Sequence, residues 1–301
     1  MTVDEGTQID RNRVSPGMGR TLALGGGGVG LVVLVLALLL GGDSSSALGN
    51  LTGAAEQNWM QTGMPSYCRT SADASTYLDC RVAFTARSLD AVWSAALPEQ
   101  TGKRYTPPRV VLLSGAAATA CGNATSAVGS FYCPADRTTY FDATFFRTLA
   151  TRFGARGGPL AQAYVVAHEF DHHIQSRLGT IAHAQRDRHG PTSAAVRTEL
   201  QADCFAGIWA HFAATTPTAG PTRPLFERLS DRDVEDAVSA TAAVADDRSR
   251  RAARSGVNPE AWKHGSSEQR TKWFLAGYRT GRVRACNTYP VQDLNDPPAL
   301  R

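Results

Sequence analysis

The sequence predicts an α+β fold that is mainly helical, with a small β-sheet and one transmembrane helix in front of it. Beyond residue 158, long segments of the 301-residue chain repeat apolar residues at helical spacing. Short runs rich in β-branched and aromatic residues lie before residue 150. Residues 22–42 carry no charge. A hydrophobic fraction of 43% is enough to bury the core of one domain of this size.

Residues 22–42 are the predicted transmembrane anchor. Their centre, residues 29–40, is almost continuous Val and Leu, and the whole segment is long enough to cross a hydrocarbon layer as a helix. Three arginines precede it, and an aspartate follows it: Arg11, Arg13, Arg20 and Asp43. The positive-inside rule then places residues 1–21 in the cytoplasm and the remainder outside, as a single-pass protein of the cell membrane.

Two other interpretations of this segment are less favoured. A buried core helix should carry a polar face, and this segment has none. A signal peptide could be cleaved near Ser45 and Ala47, and the protein would then be secreted. In either exported form, residues 43–56, rich in Ser, Gly and Ala, are predicted as a linker, and residues 57–301 as the extracytoplasmic domain.

The six cysteines indicate disulfides, because none of them forms the CxxC pair typical of thiolate zinc sites or redox motifs. Fifteen pairings are combinatorially allowed. Proximity in the chain favours Cys68 with Cys80 and Cys121 with Cys133, which leaves Cys204 for Cys286.

The charge pattern argues against a nucleic-acid partner. The formal net charge is only +4, and the single basic cluster comprises Arg248, Arg250, Arg251 and Arg254. No aromatic residue is interleaved with these arginines to stack on bases, so the cluster is interpreted as a solvated helix face.

The region before residue 150 is predicted as short strands and one short helix. In chain order these are a strand at residues 77–84, a helix at 88–97 capped by Ser88, a strand at 109–113, a disulfide-closed loop at 121–133 and a strand at 138–141. Four helices follow. Pro159 and Gly179 bracket the first, and the others cover about 195–212, 231–253 and a segment that begins near Ser266, where Ser266 and Gln269 have capping-box spacing.

The first of these helices carries an HExxH motif, His168-Glu169-Phe170-Asp171-His172. Its histidines are one helical turn apart on one face, where two neutral imidazoles can bind one zinc ion. Glu169 is placed to take a proton from the metal-bound water. The motif therefore predicts a catalytic zinc site.

Such a site needs a third protein ligand, and Glu199 on the next helix is the leading candidate. Asp203 follows one turn later on the same face and is expected to accept a hydrogen bond from a ligand imidazole, most simply that of His168. An exposed acidic face is the ordinary alternative, but Leu200 and Phe205 indicate a half-buried helix.

Other third ligands are less favoured. The longer HExxHxxGxxH pattern is excluded, because Gln175 and Leu178 stand where Gly and His are required. His183 and His189 are close in sequence but lie in a polar stretch with the character of a loop.

Several stretches together resemble the neutral zinc metallopeptidase family of bacterial membrane-anchored proteins. They are VVAHEFDHHIQ, TELQADCFAGIWA, CGNATSAVGSFYCPADRTTYFD and HGSSEQRTKWFLAGY, and the resemblance covers residues 77–286. It implies a gluzincin-like, zincin-like domain with one zinc per chain, in which His168, His172 and Glu199 bind the metal and Glu169 is the base. The pair Cys68 and Cys80, and Phe170 and Asp171 inside the motif, depart from the family pattern as we know it.

The implied activity is hydrolysis of peptide bonds in a peptide or protein substrate. A donor for the tetrahedral oxyanion is also needed, and His264, Tyr278 and Arg270 are the candidates. His173 is expected to pack behind the site, since adjacent helix positions point about 100° apart.

Two rival functions remain at this point. HExDH also occurs in peptide deformylases, where Cys133 would have to serve as the third ligand. The other rival is a catalytically inactive, membrane-tethered zinc-binding module, although a structural zinc normally has four protein ligands and no adjacent base.

Overall fold

The computed structural model describes residues 2–3, 14–16, 67–113, 117–124, 129–142, 146, 159–217, 226–243, 245–246 and 263–301. Within them the fold is a mixed α+β architecture, mainly helical with small sheets. None of the helices in these ranges combines the length and the apolar character that a bilayer crossing requires. The predicted anchor at 22–42, the linker at 43–56 and the arginine cluster at 248–254 lie outside the described residues.

The first helices are α1 (Ser71–Thr76) and α2 (Leu78–Thr101), so the strand predicted at 77–84 is wrong. The helix predicted at 88–97 is the inner part of α2, and Ser88 does not cap it. Residues 80–86 are all buried, and a helix covered on every side has no amphipathic pattern to distinguish it from a strand. Ser88 instead accepts a hydrogen bond from the indole of Trp209, at 3.0 Å.

The main sheet has four strands, in the order β2 (Ser15–Pro16), β3 (Arg109–Leu113), β7 (Thr138–Asp142) and β6 (Phe131–Cys133). Strands β3 and β7 pair in parallel, and β6 is antiparallel to β7. These bounds confirm the strands predicted at 109–113 and 138–141. A separate hairpin, β4 (Ala117–Thr119) and β5 (Gly122–Ala124), precedes β6.

Two short N-terminal strands pair with this domain. β1 (Thr2–Val3) lies antiparallel to β8 (Phe226–Arg228), and β2 (Ser15–Pro16) lies parallel to β3. If residues 1–21 lay in the cytoplasm, they could not make these contacts with a domain on the other side of the membrane. One molecule therefore cannot both pair β1 and β2 with the domain and span the membrane through residues 22–42. Each pairing involves only two residues, so the remaining sheet does not depend on it.

The helical layer contains the predicted motif helix and its partners. These are α3 (Pro159–Leu178), α4 (Ala194–Phe212), α5 (Asp231–Ala243) and α6 (Ser267–Thr280). Ser266 and Gln269 form the predicted capping box of α6. Of the helix predicted over 231–253, α5 covers residues 231–243 and a bend at Ala245 follows it, while residues 247–253 lie outside the described part of the chain.

Three disulfides close the fold, and their pairing is the predicted one. Cys68 bonds Cys80, Cys121 bonds Cys133, and Cys204 bonds Cys286. The last joins α4 to the short 3-10 helix Val283–Cys286 that follows α6.

Helices α4 and α6 approach one another through two glycines. A Cβ on Gly277 would lie 1.8 Å from the carbonyl oxygen of Cys204, and one on Gly207 would lie 2.1 Å from that of Phe274. Only glycine fits at either position, so the backbones touch. This contact sets how far the side chains of α6 reach across α4.

Candidate metal centre

The two motif histidines lie on α3 and face α4. His168 and His172 are only 7% and 6% exposed. Their rings are edge to face, with centroids 5.0 Å apart. The pairing at i and i+4 therefore places both imidazoles against the neighbouring helix, as the motif predicts.

Glu199 on α4 meets both rings. Its Oε2 lies 3.2 Å from Nε2 of His168, and its Oε1 lies 3.6 Å from Nε2 of His172. Two ligand atoms bound tetrahedrally to one zinc ion are about 3.3 to 3.6 Å apart, given metal bonds of about 2.0 to 2.2 Å. The three groups offer ligand atoms within 4.8 Å of one another. The donor set and its spacing thus fit zinc.

Behind His168, a buried ionic group fixes the ring. Asp203 Oδ1 lies 2.9 Å from Nδ1 of His168, and both Asp203 oxygens accept hydrogen bonds from Arg270, at 2.8 and 2.9 Å. The Tyr164 hydroxyl donates to Asp203 and accepts from Arg270 at 3.0 Å. Arg270 also approaches His168 Nδ1, at 3.4 Å, but the shorter contact assigns the Nδ1 hydrogen to Asp203.

The electrostatics of the cluster favour a cation between His168 and Glu199. Burial would lower the pKa of His168, but the carboxylates of Asp203 and Glu199 outweigh it and raise this pKa to about 10. Burial would raise the pKa of Glu199, yet the imidazoles of His172 and His168 hold it well below its usual range. A proton on His168 or a metal ion meets the same demand for positive charge.

Glu169 is one position from His168 and is only partly accessible. Burial raises its pKa to about 7, because the charged carboxylate is poorly solvated; nearby Glu199 adds to the rise. Its Oε2 is inaccessible to solvent and has no hydrogen-bond partner within the described part of the chain. A carboxylate that titrates near neutrality is suited to accept and return a proton.

His264 lies near these carboxylates. Its Nδ1 is 3.3 Å from Asp246, and the second Asp246 oxygen accepts backbone N–H groups of Lys263, His264 and Gly265. Burial would lower the pKa of His264, but Asp246 and, more weakly, Glu199 raise it above its ordinary value. The charge of His264 in turn lowers the pKa of Glu169 slightly.

The other oxyanion candidates lie elsewhere. The guanidinium of Arg270 is committed to Asp203 and Tyr164. Tyr278 lies about two turns further along α6, where its ring stacks on Phe274. None of the described contacts joins Tyr278 to the ligand cluster.

Three alternatives from the sequence are also resolved. His173 faces away from the ligands, accepting from Tyr132 at 3.1 Å and donating to the Thr106 carbonyl at 2.7 Å. His183 packs against the ring of Tyr289, and neither it nor the exposed His189 belongs to the cluster of ligand atoms. Cys133 is bonded to Cys121 and so has no thiolate to offer, which removes the deformylase-like interpretation.

Sequence reasoning missed four polar residues around the site: Tyr164, Gln175, Gln201 and Asp246. The sequence marks Gln175 only as a departure from the longer motif, although its place one turn after His172 on the same face is a signal that could identify it. Asp246 gave no such signal, because it lies 18 residues before its partner His264.

Comparison with known proteins agrees with this geometry. The model of the family described as "Putative neutral zinc metallopeptidase" matches residues 3–289. The uncharacterized protein Rv2575 of Mycobacterium tuberculosis is 50% identical over 229 residues, 76% of each chain. The uncharacterized protein YpfJ of Escherichia coli K12 is 34% identical over 265 residues, 86% of each chain. No solved structure matches at a significant level. With its HExxH helix and glutamate helix brought together, this chain belongs to the neutral zinc metallopeptidase family.

Proposed function

We propose that the protein is a zinc-dependent peptidase in which His168, His172 and Glu199 bind one zinc ion and Glu169 is the general base. One observation carries the proposal: the carboxylate of Glu199 contacts both Nε2 atoms at spacings that fit tetrahedral zinc, with an additional carboxylate beside them. A purely structural zinc site would need a fourth protein ligand, and the described residues of this cluster supply three.

The side chains divide the chemistry between them. When bound, zinc would acidify a water molecule and polarise the carbonyl of the scissile peptide bond. Glu169 accepts the proton of the attacking water and later delivers it to the leaving amine, a double role for which a pKa near neutrality is suited. Asp203 keeps His168 oriented throughout.

His264 is the proposed donor to the oxyanion of the tetrahedral intermediate. Asp246 fixes its ring and favours the protonated form, and its charge lowers the pKa of both Glu169 and Glu199. A positively charged donor at this place stabilises negative charge that develops only in the transition state.

Two substitutions test the assignment of roles. Glu169→Gln should retain stoichiometric zinc by atomic absorption and lower kcat by about 10²- to 10⁴-fold, because only the base is lost. Glu199→Ala should lose zinc. Each variant is also compared with the wild type for its hydrolysis of a proteome-derived peptide library. Full activity in Glu169→Gln, or full zinc in Glu199→Ala, would contradict these roles.

The same experiment addresses the alternative of a catalytically inactive, membrane-tethered zinc-binding module. That alternative predicts wild-type protein with one zinc ion and no cleaved peptide in the library. The partly accessible, raised-pKa carboxylate of Glu169 favours the enzyme, since a module that only binds zinc has no use for it.

We also propose that residues 22–42 anchor the chain in the cell membrane, with residues 57–301 outside the cytoplasm; in this anchored form the two-residue pairings of β1 with β8 and of β2 with β3 do not form. Three disulfides support export, because disulfides persist in oxidising compartments. Protease treatment of spheroplasts should digest residues 57–301 while the chain stays in the membrane pellet. A shortened soluble form would indicate signal cleavage, and a protected domain would contradict export.

A further inference from the structure

We propose that Gln175 is a positioning residue of the metal centre, which holds His172 in the tautomer that presents its Nε2 lone pair to the ion. The inference rests on the proposed zinc site and assigns a support to the second histidine. Gln175 is fully buried, one turn after His172 on α3. Its Oε1 lies 2.8 Å from Nδ1 of His172.

The amide of Gln175 can take only one orientation. Its other end lies 2.7 Å from the backbone carbonyl oxygen of Thr198 and 3.1 Å from Oε1 of Gln201. A carbonyl oxygen only accepts, so the atom facing Thr198 must be the amide nitrogen. In the flipped orientation, the amide oxygen of Gln175 would lie 2.7 Å from the Thr198 carbonyl oxygen, where no hydrogen bond is possible.

This orientation decides the tautomer of His172. Because Oε1 of Gln175 faces Nδ1 and can only accept, the hydrogen of the neutral ring lies on Nδ1. The lone pair is then on Nε2, the atom 3.6 Å from Glu199. The amide therefore prepares the ring for a metal before any ion arrives.

Gln201 fixes Gln175 in turn. Its Oε1 accepts from Gln175 and from the Thr180 hydroxyl at 2.8 Å, while its Nε2 donates to the carbonyl of Cys286 at 3.0 Å. Two main-chain carbonyls, those of Thr198 and Cys286, therefore fix the orientation of His172 through hydrogen bonds to the two glutamine side chains. Side-chain rotation alone cannot reverse it.

A neutral support also suits the charge of the site. Three carboxylates already lie in or beside it: Glu169, Glu199 and Asp203. Asp203 has Arg270 as its counterion. An amide fixes His172 without adding a further buried negative charge. A buried carboxylate with no counterion at this position would lower the stability of the fold.

The test compares zinc affinity in three variants, measured by competition with a chromogenic chelator. Gln175→Met keeps the side-chain length but removes the acceptor, and the zinc dissociation constant should rise about 10- to 100-fold. Gln175→Glu keeps the acceptor for Nδ1, but its second oxygen would face the Thr198 carbonyl and fits there only when protonated, so its zinc affinity should lie between those of the wild type and Gln175→Met. The control Gln162→Met makes the same exchange on α3, where the amide contacts Arg81, and should leave affinity within about twofold.

Further readouts separate positioning from general instability. Co²⁺ substituted for zinc should show an altered visible absorption in Gln175→Met and an unchanged spectrum in Gln162→Met. Wild-type affinity in folded Gln175→Met, or equal losses in Gln175→Met and Gln162→Met, would overturn this proposal alone. A wild-type chain that binds no zinc would overturn it together with the proposed function.

Discussion

Glu169 has the most consequential pKa of any single residue in the cluster. Burial raises this pKa to about 7, so protons taken up as the pH falls through that value neutralise the base. A bound cation stabilises the carboxylate and moves this change to lower pH. The kcat/KM profile is therefore expected to fall on its acidic side at or below about pH 7, with imidazole protonation and metal release adding to the loss below about pH 6.

A pH–rate profile with constant zinc occupancy checks this expectation. Zinc content measured at each pH separates loss of the base from loss of the metal. In fully loaded enzyme, a kcat/KM that stays flat down to the lowest pH at which zinc remains bound would exclude Glu169 as the titrating base.

Arg270 is a second residue whose change has a clear expectation. It is 2% exposed and is the counterion of the fully buried Asp203. Arg270→Met leaves that carboxylate without its ion pair, which should cost about 3–5 kcal/mol in the free energy of unfolding. The double variant with Asp203→Asn should recover part of the loss, because the unpaired charge is gone. Urea unfolding of metal-free protein measures both, and additive losses would argue against the pair.

At the scale of elements, motif spacing was enough to predict the central helices. The HExxH segment and the capping box at Ser266 are local sequence patterns, and the structure contains the helix that each of them predicts. The first part of α2 could not be recognised as helix, because residues 80–86 are all buried and show no helical periodicity. The contacts of Arg270 and Asp246 could not be derived either, since they depend on how separate elements pack.

The glycine contact between α4 and α6 gives a prediction at this scale. Gly277→Ala should gain about 1 kcal/mol from helix propensity but lose more, because its Cβ would lie 1.8 Å from the Cys204 carbonyl. A net loss of about 1–3 kcal/mol is expected, with weaker zinc binding as α6 moves away from α4. Denaturant unfolding and chelator competition measure the two effects. The exposed change Arg279→Ala is the control, and equal stability of both variants would contradict the close contact.

At the scale of the whole molecule, the Cys204–Cys286 disulfide is the connection with the widest reach. It spans 82 residues, against 12 for Cys68–Cys80. The chain-entropy model gives a loss of about 4–5 kcal/mol for removing the long bridge and about 3 kcal/mol for the short one. Double serine variants of each pair should differ in this order by urea unfolding.

Zinc affinity distinguishes the two bridges more sharply. Cys204 follows Asp203 directly, and the Cys286 carbonyl holds Gln201, whereas Cys68 and Cys80 lie in the α1–α2 region. Affinity should therefore fall only when the long bridge is removed. Equal zinc affinity in both serine variants would show that the bridge does not support the centre.

The position of Cys286 also has a consequence for biogenesis. Arg270 and Cys286 are synthesised well after the HExxH segment and Glu199, yet the supports of both histidines depend on them. A nascent chain therefore carries its three ligands before it can hold them in place. Under the proposed function, zinc capture is expected as a late step of maturation, and an unfinished or unoxidised polypeptide is expected to have little peptidase activity toward the newly made proteins around it.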